Sequence, residues 1–353
     1  MIELDYDIII IGAGPAGVSA AYFLKYFSNS NLQVLLVDRR DGQEFIKYHH
    51  KCGEGVNQKV FDEIKPLEKK FVIHDISIVE EDWAGENVDE SSTNIVIIDR
   101  PKFFQYVIHK FEELGGVVKK GSFKNAKQHI DHIQVNLNSG ETFLSKYLIG
   151  ADGASSVVRR IFNFGAVKTK AIDQYVTDDD LGPFDRVRLF YDEKYKGAYK
   201  YHFPSENSWK VGFPAGVENF TGNVIQRQAR NIAWGGLKNY VKGNVALIGD
   251  AAALTNPITD GGIRPAIISG KMCANAIVRG DLQKYDKQLK KSGFDSKKYT
   301  KAFLAYKNLR NKDLIELSSL FGSNIFSIFL KLLFKPKFWK LIIPFLKAED
   351  FGF

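Results

Sequence analysis

Three short segments have the residue types to hold a phosphate-bearing cofactor. Gly12-Ala13-Gly14-Pro15-Ala16-Gly17 stands between an apolar run, Ile8 to Ile11, and a stretch with helical spacing. Glycines so spaced let the backbone turn tightly and bring amide donors and the positive end of a helix dipole onto a pyrophosphate. Asp38 closes the next apolar run roughly 20 residues on, where its carboxylate can accept from ribose hydroxyls, with Arg39 beside it. NAD fits this first piece as well as any dinucleotide. Gly150-Ala151-Asp152-Gly153 ends a second apolar run. Leu247-Ile248-Gly249-Asp250-Ala251-Ala252 ends a third, followed by Asn256-Pro257 and by Gly261-Gly262-Ile263 at the head of a helix. Asp250 can bind a polyol hydroxyl, and the amides of Gly261, Gly262 and Ile263 can face the electron-rich edge of a reduced ring. Taken singly, each of these two also reads as a capped strand-to-helix turn. In this order, the three together imply a cofactor with a long polyol and a ring.

Two further stretches carry chemistry of another kind. Lys51-Cys52-Gly53-Glu54-Gly55 comes after the second strand, in a loop expected near the cofactor ring. A thiol there can give up a proton, although a lone Cys also serves as a small buried apolar residue. His49 and His50 adjoin the loop and can relay protons or stand as ordinary exposed histidines. Glu54 reads equally as acid, base or surface charge. In Tyr199-Lys200-Tyr201-His202-Phe203-Pro204, alternate residues Tyr199, Tyr201 and Phe203 project to one face of a strand. Three rings there make either a wall of an apolar tunnel or a plain core face.

These segments need elements to position them. Strand, helix and strand patterns over 6–12, 15–27 and 33–38 predict a parallel sheet. Residues 71–100 alternate as strands do, with a polar, turn-rich stretch around Gly85 to Thr93. Residues 101–114 predict a helix that opens on Pro101 and stops at Gly115-Gly116. Short strands fill 117–150, and 165–235, rich in Tyr, Phe and Trp, alternate as an antiparallel sheet. The run at 244–250 returns to the buried parallel type, and helices are predicted over 262–279, 282–290 and from about 296 onward. The expected fold class is α/β. Residues 1–70, 96–164 and 237–295 form a Rossmann-like cofactor domain with a parallel sheet. Residues 71–95 and 165–236 form an interleaved α+β substrate domain with an antiparallel sheet, and 296–353 a C-terminal helical segment.

Composition narrows the class. The 353 residues, 44% hydrophobic and 25% charged, suit a soluble globular chain with a large core, and 27 Phe with 15 Tyr can line an apolar cavity or simply fill that core. The net charge of +8 is spread along the chain and thickens only in the last quarter, which disfavours nucleic acid and suits anionic headgroups or an acidic protein partner. Cys52 and Cys273 lack metal-ligand or disulfide-framework spacing, so no metal site and a reducing cytoplasmic compartment are expected. The N-terminus runs straight into a strand and leaves no room for a secretion signal. Leu317 to Leu330 is apolar or neutral, but Lys331, Lys335, Lys337, Lys340 and Lys347 interrupt the chain beyond it too often for a membrane span. The stretch from Leu314 to Phe353, with its LLFKPKFWKLIIPFLK, suits a segment in the membrane interface, or a helical lid on the protein's own core.

The sequence GAGPAG, then Arg100 before a helix, then GADG, then GDAA with Gly261-Gly262 downstream, resembles the flavoprotein group typified by p-hydroxybenzoate hydroxylase over roughly residues 1–290. The resemblance implies FAD as cofactor, held by the three segments, with Arg100 reaching toward the flavin. That group spans hydroxylases, halogenases, alkene epoxidases and alkene reductases, so the reaction is not thereby settled. Cys52-Gly53 and the run from Tyr199 to Pro204 resemble the geranylgeranyl reductase family, which carries a Cys-Gly element and a Tyr-x-Trp-x-Phe-Pro element. Tyr201 stands where Trp is commonest. This second resemblance implies saturation of isolated C=C bonds in a geranylgeranyl or related isoprenoid chain, of a membrane lipid or a quinone. Such an alkene has no carbonyl to hold developing charge, so hydride delivery needs a proton donor. Cys52 is the candidate, with an ordered water or Tyr199 as alternatives. Gly53, Tyr199, Tyr201, Phe203 and Pro204 would hold substrate, and Cys52 and Gly53 would also touch the cofactor. With no second glycine-rich dinucleotide element, ferredoxin or transient NAD(P)H contact is expected to supply electrons. The expected location is the cytoplasm, with peripheral association to a membrane. The rivals are a flavin monooxygenase acting on aromatic or polycyclic substrates, and a lipid carrier with a relic FAD.

Overall fold

Ile8, Ile9 and Ile10 have no solvent exposure, because their strand, Tyr6–Ile11, lies inside a parallel sheet covered on both faces. In the computed structural model, which describes residues 3–321 and 335–352, the main path of this sheet runs Val241–Lys242, Val245–Leu247, Thr142–Gly150, Tyr6–Ile11, Val34–Asp38, Val117–Lys120, and Ile133–Leu137 followed by Phe123–Gln128 join Thr142–Gly150 antiparallel off that path. Tyr6–Ile11 pairs in parallel with both Val34–Asp38 and Thr142–Gly150, and the latter in parallel with Val245–Leu247. The three motif segments therefore leave the carboxyl ends of three adjacent strands. Backbone bonds stitch those exits together: Ala151 N donates to Ile11 O at 2.8 Å and Ile248 N to Gly150 O at 3.1 Å. Ligands of open α/β sheets bind at such a point, where the strand order reverses.

Helix Pro15–Phe27 follows the first strand as predicted and packs against helix Ile263–Val278, with Ser19 Oγ donating to the Ile267 carbonyl at 2.7 Å. Helix Arg100–Glu113 starts on an Asp99 cap whose side chain accepts from Lys102 N, with Pro101 in its first turn.

The second sheet runs Gln226–Trp234, Lys168–Thr177, Trp209–Pro214, Lys200–Pro204, Arg186–Tyr191, Val72–Trp83, Asn87–Ile98, Gly55–Asn57. Its pairs are antiparallel except one: Arg186–Tyr191 runs parallel to Val72–Trp83. Two stretches far apart in sequence meet at that seam, so no hairpin dictates their direction. The hairpin between Val72–Trp83 and Asn87–Ile98 turns at Ala84 and Gly85, both with positive φ. Residues 87–93, expected as part of a turn-rich stretch, are strand; all are half-buried or exposed, and all but Val88 are polar.

Helices Leu282–Lys291, Lys297–Tyr306, Asn311–Phe321 and Trp339–Gly352 complete the described chain. Leu314, Leu317, Leu320, Leu341, Ile342 and Phe345 pack on Trp83, Trp234 and Tyr306, the arrangement of a helical lid on the protein's own core. Residues 322–334 of the lysine-broken C-terminal stretch, and Phe353, lie outside the described residues. Among the described residues no helix is long and apolar enough to cross a membrane.

Candidate functional site

A cleft of about 1930 Å³, counting its open mouth, runs from the carboxyl ends of the parallel strands to the face of the second sheet. Gly12, Gly14, Pro15 and Ala16 line it, as do Asp38 and Arg39, Ala151, Asp152 and Gly153, and Asp250, Gly261, Gly262 and Ile263. Gly12 sits at φ +105, and a Cβ there would fall 2.4 Å from the Ala151 carbonyl oxygen, so main chain is bared on this side. Ala13, Gly17, Gly249, Pro257 and Pro204 do not line the cleft. Ala13 acts one step back: its N–H donates to Asp38 Oδ2 at 2.7 Å, while Arg40 N donates to Asp38 Oδ1 at 2.8 Å. Gly17 and Gly249 are packing positions, because a Cβ at Gly17 would meet Gly12 O at 1.8 Å and one at Gly249 would meet Ala16 Cβ at 2.7 Å. The Pro257 carbonyl accepts from Lys170 at 3.5 Å, and Pro204 pairs with Trp209 at its strand end.

Asp152 caps the short helix after its strand, accepting from Val157 N at 2.6 Å and Val158 N at 3.1 Å, while its Oδ1 is buried without a partner. Burial raises its pKa against the pull of those donors. Arg159 fastens this segment to the third, donating to Ala251 O at 2.8 Å and Ala154 O at 2.6 Å. Asp250 accepts from Thr255 Oγ1 at 2.8 Å and faces Arg230 at 3.8 Å. Gly261 N donates to Thr259 Oγ1 at 3.3 Å, and the helix that opens after Gly262 has no side-chain cap.

Across the cleft, the Cys52 loop and the aromatic strand touch. Cβ atoms at Gly53 and Gly55 would fall 3.1 and 2.6 Å from the ring of Phe203, so glycines let the loop lie flat on it. Tyr201 meets Phe203 edge-on at 5.2 Å and Tyr199 at 6.4 Å, one continuous aromatic face in the cleft. Both hydroxyls are engaged: Tyr201 donates to Gln174 Oε1 at 2.7 Å and Tyr199 to the Thr259 carbonyl. Burial raises both phenols well above their usual range, so they stay neutral.

Arg100 is 1% exposed in the cleft wall, and its Nε donates at 2.7 Å to the His49 carbonyl, which also takes its Nη2. Its observed bonds therefore brace the loop. His49 packs between Phe45 at 4.3 Å and Phe104 at 5.3 Å, and its Nδ1 is buried without a partner. Burial, then Arg100 and Arg230, push its pKa well below the usual value, so it is neutral. Glu54 is 1% exposed and no surface charge: it pairs with Lys210, itself 3% exposed, and lies 3.2 Å from His50 Nδ1.

Arg230, Lys210, Gln174 and Gln228 escaped the motif reading. A Lys inside the apolar strand WKVGFP and the alternation of Gln226–Trp234 were the available signals. The cradle fits FAD: bare main chain at Gly12, an uncapped helix start at Gly262, and buried polar atoms on His49 and Asp152 without protein partners.

Comparison with known proteins agrees. A protein-family model described as the FAD binding domain matches residues 5–177. The digeranylgeranylglycerophospholipid reductase of Methanosphaerula palustris is 27% identical, over 81% of this chain and 82% of that protein. A geranylgeranyl bacteriochlorophyll reductase-like protein of Thermoplasma acidophilum superimposes with a TM-score of 0.79 at 21% identity, over 98% and 99% of the two chains. The p-nitrophenol 4-monooxygenase of Pseudomonas putida shares the fold, with a TM-score of 0.72 at 15% identity, over 95% and 98%. The cofactor is FAD, and this chain is a FAD-dependent oxidoreductase similar to proteins named as geranylgeranyl-type reductases.

Proposed function

We propose that this protein saturates isolated C=C bonds in a geranylgeranyl or related isoprenoid chain, carried on a membrane lipid or a quinone. The observation that carries the reading is the contact of the Cys52-Gly53 loop with Phe203 of the aromatic face, in the cleft that also exposes all three FAD segments. The name of the Methanosphaerula palustris relative supports it. Bound and reduced, FAD would supply a hydride for one alkene carbon. The neighbouring carbon takes a proton from Cys52, whose electron pair stays on sulfur until water restores the thiol. Tyr199, the alternative donor, already gives its hydroxyl proton to the Thr259 carbonyl, which favours Cys52. Tyr199, Tyr201 and Phe203 exclude water and orient the apolar chain. The three glycine-bearing segments, with Asp38, Arg39 and Asp250, hold the cofactor, and His49 and Asp152 complete its polar contacts.

Two electrons per bond come from ferredoxin or NAD(P)H, and the positive net charge favours an acidic protein donor. On helix Trp339–Gly352, Trp339, Ile343 and Leu346 are 55, 61 and 40% exposed beside exposed Lys340 and Lys347, a face suited to anionic membrane at the cytoplasmic side. Residues 1–70, 96–164 and 237–295 serve as the cofactor domain and 71–95 with 165–236 as the substrate domain. Incubating the reduced protein anaerobically with geranylgeranyl lipid tests the reaction. The product should gain two mass units per bond, and oxygen uptake coupled to an aromatic substrate instead would establish the monooxygenase. Cys52→Ala should lose most turnover with flavin reduction intact; full turnover would remove Cys52 as donor.

A further inference from the structure

Glu54 adopts φ +65, a left-handed conformation that burdens any residue with a side chain. Its buried carboxylate holds it there, pairing with Lys210 on strand Trp209–Pro214 and approaching His50 Nδ1 at 3.2 Å. Lys210 also donates at 3.3 Å to the His50 carbonyl, which accepts the Cys52 N–H at 2.8 Å. In this geometry the Glu54 N–H points at Cys52 Sγ, 3.4 Å away. Glu54, Lys210 and His50 are not among the residues named above as holding FAD, and a buried Lys–Glu pair brings little net stability to account for its presence.

We propose that Glu54, clamped by Lys210, is a positioning residue for Cys52: the clamp keeps residue 54 left-handed, so that its N–H addresses the sulfur and fixes the thiol toward the cleft. The inference rests on the reading of Cys52 as proton donor. When the thiol proton goes to the alkene carbon, the electron pair remains on sulfur, and the same N–H becomes a charge-assisted donor to it until water returns a proton. The other charged or titratable groups facing the sulfur are Arg100 from helix Arg100–Glu113, Arg230 from strand Gln226–Trp234, and Tyr199 and Tyr201 from the aromatic face. His50 and Lys51 precede it in the loop.

The test is the pH dependence of Cys52 alkylation by iodoacetamide in the FAD-loaded protein. Cys273, the second of two cysteines, is fully buried and its thiol pushed up by burial, so the rate reports Cys52. The double variant Glu54→Ala/Lys210→Met removes the clamp without changing net charge, and alanine relaxes out of the left-handed region. Its alkylation midpoint should rise by about one pH unit, and kcat should fall at least roughly tenfold with KM within about twofold. Glu54→Gly/Lys210→Met can stay left-handed without the clamp and should recover at least half of the midpoint shift. Lys210→Arg, which keeps the clamp, should keep the original midpoint. An unchanged midpoint in the alanine double variant with FAD still bound overturns the proposal, and so does an equal shift in the glycine one. Should the alanine variant not fold, Glu54→Gln/Lys210→Gln takes its place with the same expectation and the same overturning result. Turnover of Cys52→Ala judges the donor reading separately, because the midpoint is read without any turnover.

Discussion

Along the carboxyl ends of the parallel strands the cleft is walled by main chain at Gly12, Gly14, Gly153 and Gly262, whereas the opposite wall is made of side chains: Cys52, Glu54, Tyr199, Tyr201, Phe203 and Arg230. The first wall holds phosphate and polyol through amide dipoles, which any sequence with the right turns supplies. The second needs buried charges and hydroxyls from distant segments, each with its partner, as Lys210 is for Glu54 and Gln174 for Tyr201. Substitutions should therefore separate the walls. On the main-chain side, added volume removes the cofactor; on the side-chain side, removing one partner strands another.

The largest effect is expected at Gly12, where Gly12→Val places a branched side chain against the Ala151 carbonyl, 2.4 Å from the Cβ position. Purified protein should lose its flavin absorbance, with FAD bound at least about a hundredfold more weakly, or about 2.7 kcal/mol. Normal FAD content would show that the main-chain wall yields. Next, Lys210→Met leaves the Glu54 carboxylate buried without its ion-pair partner and should cost about 3–5 kcal/mol in urea unfolding, while FAD affinity in the folded fraction changes little. Adding Glu54→Gln should restore most of that loss; no recovery would mean that packing, not charge, is what Lys210 provides.

His49 lies where the two walls meet, with its carbonyl on Arg100 and its ring behind Gly14. Its pKa is depressed in the folded protein, so the unfolded chain binds a proton that the folded one refuses once pH falls below about 6.5. Stability from this group is complete above that value and drains as pH falls, by up to about 1.4 kcal/mol per unit. Unfolding measured at pH 7 and 5.5 should show this slope, and His49→Gln should flatten it. The smallest effect belongs to neither wall. Ile343→Ser with Leu346→Ser, both at exposed positions, should change stability by less than about 0.5 kcal/mol each, yet weaken sedimentation with anionic vesicles. Undiminished vesicle binding would take this helix out of any membrane contact.

The cradle was legible in the residues because its requirements are local. A glycine turn after an apolar strand and an acid at the next strand end are spacings along the chain, and they place Gly12, Asp38, Asp152 and Asp250 on one cleft. The helix Pro15–Phe27 and the parallel strands came from runs of apolar residues that only burial on both faces explains. Period and composition also marked Tyr199, Tyr201 and Phe203 as one face, but could not tell a core face from a tunnel wall. Tertiary structure lays Gly53 and Gly55 against Phe203 and gives the three rings both roles, lining the cleft and packing in a buried apolar cluster. It also decided that Arg100 braces His49 and that Glu54 is a buried ion rather than a surface charge. It brought the parallel seam between Arg186–Tyr191 and Val72–Trp83 together from opposite ends of a long excursion. Each of these depends on which distant partner arrives. A side chain's own neighbours in sequence carry no record of that, because burial and pairing are set by the packing of whole sheets.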